Sequence, residues 1–207
     1  MSPWLLVGAM RVETFPVLRR LSAPRLVGPR LWLGSLGARP VALLTCGVGL
    51  ERAERRGLEA IERLNPEAVV SFGTCGALID GLPRGALVGA TGLVHGDDDI
   101  PLTPPPSPGL HLGALASVPA VVATPKARAA LAARGAVACE MEAGGLRRAA
   151  KDRPFYALKV VSDAAGGDPS ERLQPGDPVQ ILRFKALALN LVERHLAPAL
   201  VSWVGGL

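Results

Sequence analysis

The chain has 207 residues, 49% of them hydrophobic and 20% charged, enough for one sizeable core and against disorder as its main state. Its net charge of +5 comes from scattered arginines with no run of five or more, and aromatics are only 4%, which argues against a nucleic-acid partner. Cys46, Cys75 and Cys139 lie far apart with no CxxC, which argues against zinc, and no apolar run reaches the roughly 18 residues of a membrane span.

Met1 to Met10 is apolar but has no charged leading region and meets Arg11 and Glu13 too soon for an export signal. With the odd cysteine count, this points to the reducing cytoplasm.

Trp4 to Val7 reads as a buried first strand that turns at Gly8-Ala9-Met10, and 13–21 reads as a helix. Strands are expected at 30–34 and 40–45, then a glycine turn at Cys46-Gly47-Val48-Gly49 and an amphipathic helix over 50–64 that Asn65-Pro66 stops. A strand at 68–72 runs into the glycine-rich turn Gly73-Thr74-Cys75-Gly76-Ala77. The next strand is expected at 86–94, before His95-Gly96-Asp97-Asp98-Asp99 and a long semi-rigid loop at 101–109 whose prolines exclude helix and central strand. Further on come a strand at 118–123, a helix at 125–133 opened by Pro125, the segment Val137-Ala138-Cys139, and a helix at 142–151. A strand at 155–162, a Gly-, Asp- and Pro-rich loop at 164–178 and a helix at 179–196 complete the chain.

Strand, glycine turn, helix, strand is the grammar of a doubly wound sheet. The expected fold is α/β: a single three-layer domain over 1–207, with a central mixed, mostly parallel sheet flanked by helices. In such sheets ligands bind beyond the carboxyl ends of the strands. Five segments leave their strands on small or polar residues: Gly8 to Glu13, Cys46 to Gly49, Gly73 to Gly76, Cys139 to Glu142, and Ser162-Asp163. They are expected on one rim.

Those segments resemble the nucleoside phosphorylase and nucleosidase superfamily. Gly8-Ala9-Met10-Arg11-Val12-Glu13 is similar to the opening of the methylthioadenosine/S-adenosylhomocysteine nucleosidases, and the resemblance implies that Glu13 orients and deprotonates the attacking water. Gly73 to Ala77 resembles the family's glycine-rich turn, which implies that Thr74 meets the nucleophile and that Gly76 is part of the substrate site. Glu140-Met141-Glu142 resembles the ribose clamp, with Met141 packed on the sugar and Glu142 accepting from its hydroxyls. Ser162-Asp163 resembles the base site, where the aspartate protonates purine N7. His95 to Asp99 resembles a loop that reaches a neighbouring subunit's sugar pocket.

The implied activity is hydrolysis of the N-glycosidic bond of an adenosine-type nucleoside, with Glu13 and Asp163 catalytic, and Met141, Glu142, Glu140, Thr74, Gly76 and Ser162 binding substrate. No cofactor or metal is implied. The expected partners are a purine nucleoside, phosphate if the enzyme is a phosphorylase, and a second copy of the chain in a homodimer or higher homo-oligomer, with no nucleic acid and no membrane.

Elementary chemistry fits these roles. The departing base gains negative charge, which an acid at Asp163 neutralises; that acid must carry a proton, so partial burial is expected around it. The sugar gains positive charge, which Glu142 favours. Two residues apart on a helix, Glu140 and Glu142 point to different sides. Glu142 is taken to face the ligand, and Glu140 either joins it or holds the turn by hydrogen bonds.

Two alternatives stay open: a phosphate-dependent phosphorylase, and an inactive nucleoside-binding protein of the same fold. Related hexameric phosphorylases place an arginine where this chain has Ser71, although Arg11 could supply a charge, and Glu13 would repel phosphate at the same spot. The nucleosidases also carry an insertion with an aromatic that stacks on the purine. Here Val121 to Thr124 runs directly into Pro125 with no aromatic evident, and Leu50 stands where they often carry lysine. The shorter form resembles the hopanoid-associated branch.

Overall fold

The computed structural model describes residues 1–165 and 177–206. The loop expected over 164–178 lies outside the described residues except at its ends. Among the described residues, ten strands form one mixed sheet.

Its open limb runs β2 (Ser22–Gly28), β3 (Leu31–Leu36), β4 (Arg39–Thr45), β1 (Trp4–Gly8), β5 (Ala68–Ala77). Beyond β5 the sheet curls. β10 (Phe155–Asp163), β6 (Leu87–His95), β8 (His111–Ser117) and β9 (Ala136–Glu140) pair in sequence, and both β10 and β9 pair with β5, so the five strands close into a ring. Short β7 (Asp98–Pro101) pairs with β6.

The length of β5 makes closure possible. Trp4 to Val7 of β1 pair with Ala68 to Ser71, whereas Gly76 and Ala77 pair with Cys139 and Ala138 of β9. Between these partners stands Gly73 at φ +143°, which L side chains rarely adopt. The glycine-rich stretch is therefore the bent second half of a strand rather than a turn after it.

Successive residues of a strand face opposite sides of a sheet, and β1 divides accordingly. Leu5 and Val7 join one core with α2 (Leu50–Leu64) and α4 (Ala143–Ala150). Trp4 and Leu6 join a second with α1 (Arg11–Leu18) and the C-terminal helices. In that second core Trp4 stacks on Tyr156 at 5.7 Å between centroids and meets Trp203 edge-on at 5.8 Å. The helices α2 and α4 approach closely, because a Cβ on Gly145 would lie 2.2 Å from the Leu50 carbonyl oxygen. The expected C-terminal helix is α5 (Pro178–Leu191), continued through a π-helical turn, Val192–Leu196, into α6 (Ala197–Gly205).

Several expectations are corrected. The strand expected at 118–123 is β8, seven residues earlier: after Val118 donates to the Glu140 carbonyl, Pro119 has no N–H to continue a ladder. β2 was not expected at all; it is an exposed edge strand, the position that tolerates its Pro24. α1 begins at Arg11, with Met10 as N-cap and Glu13 as the third helical residue. Glu140 ends β9 and Glu142 is the N-cap of α4, so neither lies within a helix and the face argument does not apply to them.

Candidate active site

The five segments expected on one rim do meet there. Met10 and Glu13, Val48, Thr74 to Gly76, Cys139 to Glu142, and Ser162-Asp163 line a single cavity, closed on one side by residues of the loop after β8 and by Phe184 of α5.

Glu13 is buried and accepts four hydrogen bonds. Ala9 and Met10 donate their N–H groups to its Oε2 at 3.1 and 3.0 Å. The Thr74 N–H and Oγ1 donate to its Oε1 at 2.9 and 3.0 Å. The Met10 contact is half of a capping box, the arrangement that satisfies free N–H groups at a helix start. The Thr74 contacts reach across to β5 and depend on Gly73, whose added Cβ would sit 2.8 Å from Glu13 Oε1.

Glu140 holds the turn, the second of the two roles considered for it. Its carboxylate accepts from Ser117 Oγ at 2.5 Å and from the N–H groups of Glu142 and Ala143, at 3.0 and 2.9 Å to Oε2. Lys159 Nζ, from β10, lies 3.0 Å from the same Oε2 and donates to Ser71 Oγ at 3.0 Å. Burial opposes the Glu140 charge, but Lys159 and then Ser117 outweigh it, so the carboxyl is held below the usual range. Burial likewise opposes the Lys159 charge, and Glu140 followed by Glu142 raise the ammonium above the ordinary lysine value.

Glu142 is less well served. Its Oε1 accepts from the Gly49 N–H at 3.0 Å. Burial first, then the neighbouring Glu140, push its carboxyl up to about 7 against the opposing pull of Lys159. It lines the cavity beside the half-buried Met141.

At the opposite end, Ser162 Oγ stands 3.0 Å from the Cys75 carbonyl oxygen and 2.9 Å from Asp163 Oδ1. Register shifts between Val161 and Asp163, and such an irregularity re-aims side chains at a strand end. The partial burial expected around Asp163 is present, its side chain being 16% exposed. Its main partner was not expected: the guanidinium of Arg128, from α3 (Pro125–Ala133), pairs with Oδ2.

Other candidates fall outside the cavity. Ser71 is fully buried beneath it. Arg11 is exposed and is not among the lining residues. The His95 ring packs behind Glu140, with Nδ1 3.0 Å from the Ser117 carbonyl oxygen and Nε2 against Arg148. Cys75 and Cys139 do line the cavity, but burial keeps their thiols protonated, pushing Cys139 up to about 11.

Three lining or supporting residues escaped the sequence reading. Lys159 had a signal, a lone charge inside the apolar run Phe155 to Val161. Phe184, an aromatic on the distant helix α5, also lines the cavity. Arg128 had no signal, being one basic residue in a helix that shows three in ten positions around it, Lys126, Arg128 and Arg134.

The curled α/β sheet thus brings four buried or half-buried acids, Glu13, Glu140, Glu142 and Asp163, to one cavity at its strand ends. Residues 5–131 match the Phosphorylase superfamily, and the chain belongs to it. Among its relatives, the 5'-methylthioadenosine/S-adenosylhomocysteine nucleosidase of Shewanella pealeana is 24% identical, over 79% of this chain and 86% of that one. The Listeria monocytogenes protein of the same name is 26% identical over 46% of this chain, and only 42% of its own length is covered. The fold is similar to that of the Neisseria meningitidis nucleosidase solved with methylthio-immucillin-A, at TM-score 0.79 and 19% identity over the whole of both chains. A Helicobacter pylori futalosine hydrolase mutant is comparably similar, at TM-score 0.78 and 18% identity, again over both whole chains.

Proposed function

We propose that this chain is a purine nucleosidase that hydrolyses the N-glycosidic bond of an adenosine-type nucleoside. One observation carries the choice of water over phosphate: the Glu13 carboxylate takes the N–H groups of Ala9, Met10 and Thr74 and the Thr74 hydroxyl. Those are the donors that a phosphate dianion would need, and a resident carboxylate also repels it. The position of the phosphorylases' arginine adds to this, since Ser71 here is buried against Lys159.

In this reading Glu13 takes a proton from water as the water oxygen bonds to C1′. The electrons of the C1′–N9 bond pass to the base, which Asp163 protonates at N7. Glu142 accepts from the ribose hydroxyls, Met141 packs on the sugar, and Glu140 fixes both by holding their turn. Thr74 frames the nucleophile, Gly76 leaves room beside the Asp163 carboxyl, Ser162 orients Asp163, and Phe184 offers the substrate an aromatic face. The relatives named for methylthioadenosine and adenosylhomocysteine support the adenosine-type substrate.

The same reading places one catalytic domain in the cytoplasm as a homodimer. The deciding experiment offers methylthioadenosine, adenosylhomocysteine and adenosine with and without phosphate. Free sugar and adenine are the expected products; sugar 1-phosphate, or no cleavage of any of them, overturns the reading.

A further inference from the structure

Arg128 is among the few buried charges of the molecule, 7% exposed, and the hydrolytic roles above do not use it. A guanidinium carries five N–H donors and no acceptor. Three of the five are committed. Nε donates to the Val122 carbonyl at 3.1 Å, Nη1 to the Ala77 carbonyl at 2.8 Å, and Nη2 to Asp163 Oδ2. Among the described residues, one N–H remains without a partner on each terminal nitrogen.

The group is held rigidly, tied to β5, to the loop before α3 and to β10, and it lines the cavity beside Asp163. Gly76 leaves it room: a Cβ there would stand 3.1 Å from Arg128 Nη2 and from both Asp163 carboxylate oxygens. On the acceptor side, Ser162 has a single hydroxyl proton to share between the Cys75 carbonyl and Asp163 Oδ1. Oδ1 therefore keeps capacity to accept from a ligand.

The base end thus offers a fixed acceptor next to a fixed, charged donor. A carboxylate alone suits a base edge with an exocyclic amine and repels one with an exocyclic carbonyl. We propose that Arg128 is a specificity-determining residue that extends the substrate range to 6-oxopurine nucleosides, its remaining N–H groups pairing with the base carbonyl, while Asp163 serves the 6-amino bases. Charge favours the reaction as well as the binding. When the C1′–N9 bond breaks, the negative charge of a 6-oxopurine spreads onto its exocyclic oxygen, where a neighbouring guanidinium stabilises it more than in the ground state.

This inference rests on the nucleosidase reading, and its test separates the two. Rates are measured on pairs that differ only at position 6, adenosine with inosine and methylthioadenosine with methylthioinosine. The parent is expected to release hypoxanthine as well as adenine. Arg128→Met is expected to lower kcat/KM for the 6-oxo member about 10- to 100-fold more than for the 6-amino member, as loss of one charged hydrogen bond to substrate does, with Arg128→Lys in between. A parent that releases adenine but no hypoxanthine overturns the assignment and leaves the nucleosidase reading intact. So does a Met variant that loses both activities in equal proportion. Calorimetry of free hypoxanthine and adenine with the parent covers the case of a Met variant that fails to fold or a parent that cleaves nothing. Hypoxanthine binding supports the assignment, and adenine binding without hypoxanthine binding overturns it.

Discussion

Lys159 Nζ and Glu140 Oε2 lie 3.0 Å apart with side chains 1% and 0% exposed, an ion pair closed off beneath the cavity. It joins the middle of β10 to the end of β9 and fixes the turn that carries Met141 and Glu142. Removing one partner of such a pair strands the other as an uncompensated buried charge.

Lys159→Met is therefore expected to destabilise the fold by roughly 3–5 kcal/mol. Adding Glu140→Gln to it is expected to recover a large part, since an amide needs no counter-ion. Urea denaturation of the two variants and the parent measures both. A single variant within about 0.5 kcal/mol of the parent, the scale of an ordinary surface change, contradicts the pairing.

Glu142 sets a pH dependence. Its folded-state value of about 7 stands above the ordinary 4.5, so the folded protein binds this proton more tightly than the unfolded chain does. The resulting stabilisation is complete below about 4.5 and is lost as pH rises through about 7. Between pH 5 and pH 8 the ligand-free parent is expected to lose roughly 1–3 kcal/mol that Glu142→Gln keeps. Denaturation curves for both proteins across that range should converge at low pH and separate at high pH. Parallel curves would remove Glu142 as the titrating group.

Asp163→Asn keeps the shape of the base site and removes the proton donor. Loss of a general acid typically lowers kcat about 10²- to 10⁴-fold, and that is the expected effect on adenosine-type substrates. Circular dichroism should report an unchanged fold. A variant as active as the parent on every nucleoside tried would dismiss Asp163 as the acid.

Gly73→Ala tests how Glu13 is held. The new methyl would stand 2.8 Å from Glu13 Oε1, at a backbone φ of +143°. A strained φ of this kind costs roughly 1–3 kcal/mol. Hydrolysis should fall further than stability alone accounts for, because the Thr74 donors would no longer reach Glu13. Thermal denaturation and initial rates on one preparation separate the two effects.

Much of this site was legible along the chain. Glu13, Thr74, Gly76, Cys139 to Glu142, Ser162 and Asp163 sit where apolar strands end in small or polar residues, and strand ends are where such sheets bind ligands. The turn-holding role of Glu140 was one of two it could have had. What it turns on, the positions of Ser117 and Lys159, could not be read from local pattern.

The strand expected at 118–123 is displaced because the five apolar residues around Pro119 resemble a strand, whereas the missing proline N–H decides in the sheet. β2 was overlooked because its residues are mostly exposed, so its pairing with β3 leaves little trace of alternation.

By itself the sequence determined the order of most strands and helices, though not β2, β7 or the bounds of β8, together with the five segments that form the rim and the acids placed on them. These follow from apolar periodicity, from glycine and proline, and from motifs only a few residues long. The tertiary structure decided how the acids are used. Closure of the ring through β5 brings Arg128 to Asp163, 35 residues away, and Lys159 to Ser71, 88 residues away. Such pairs leave no local pattern, because the energy of a buried charge depends on what packs around it and not on its neighbours along the chain.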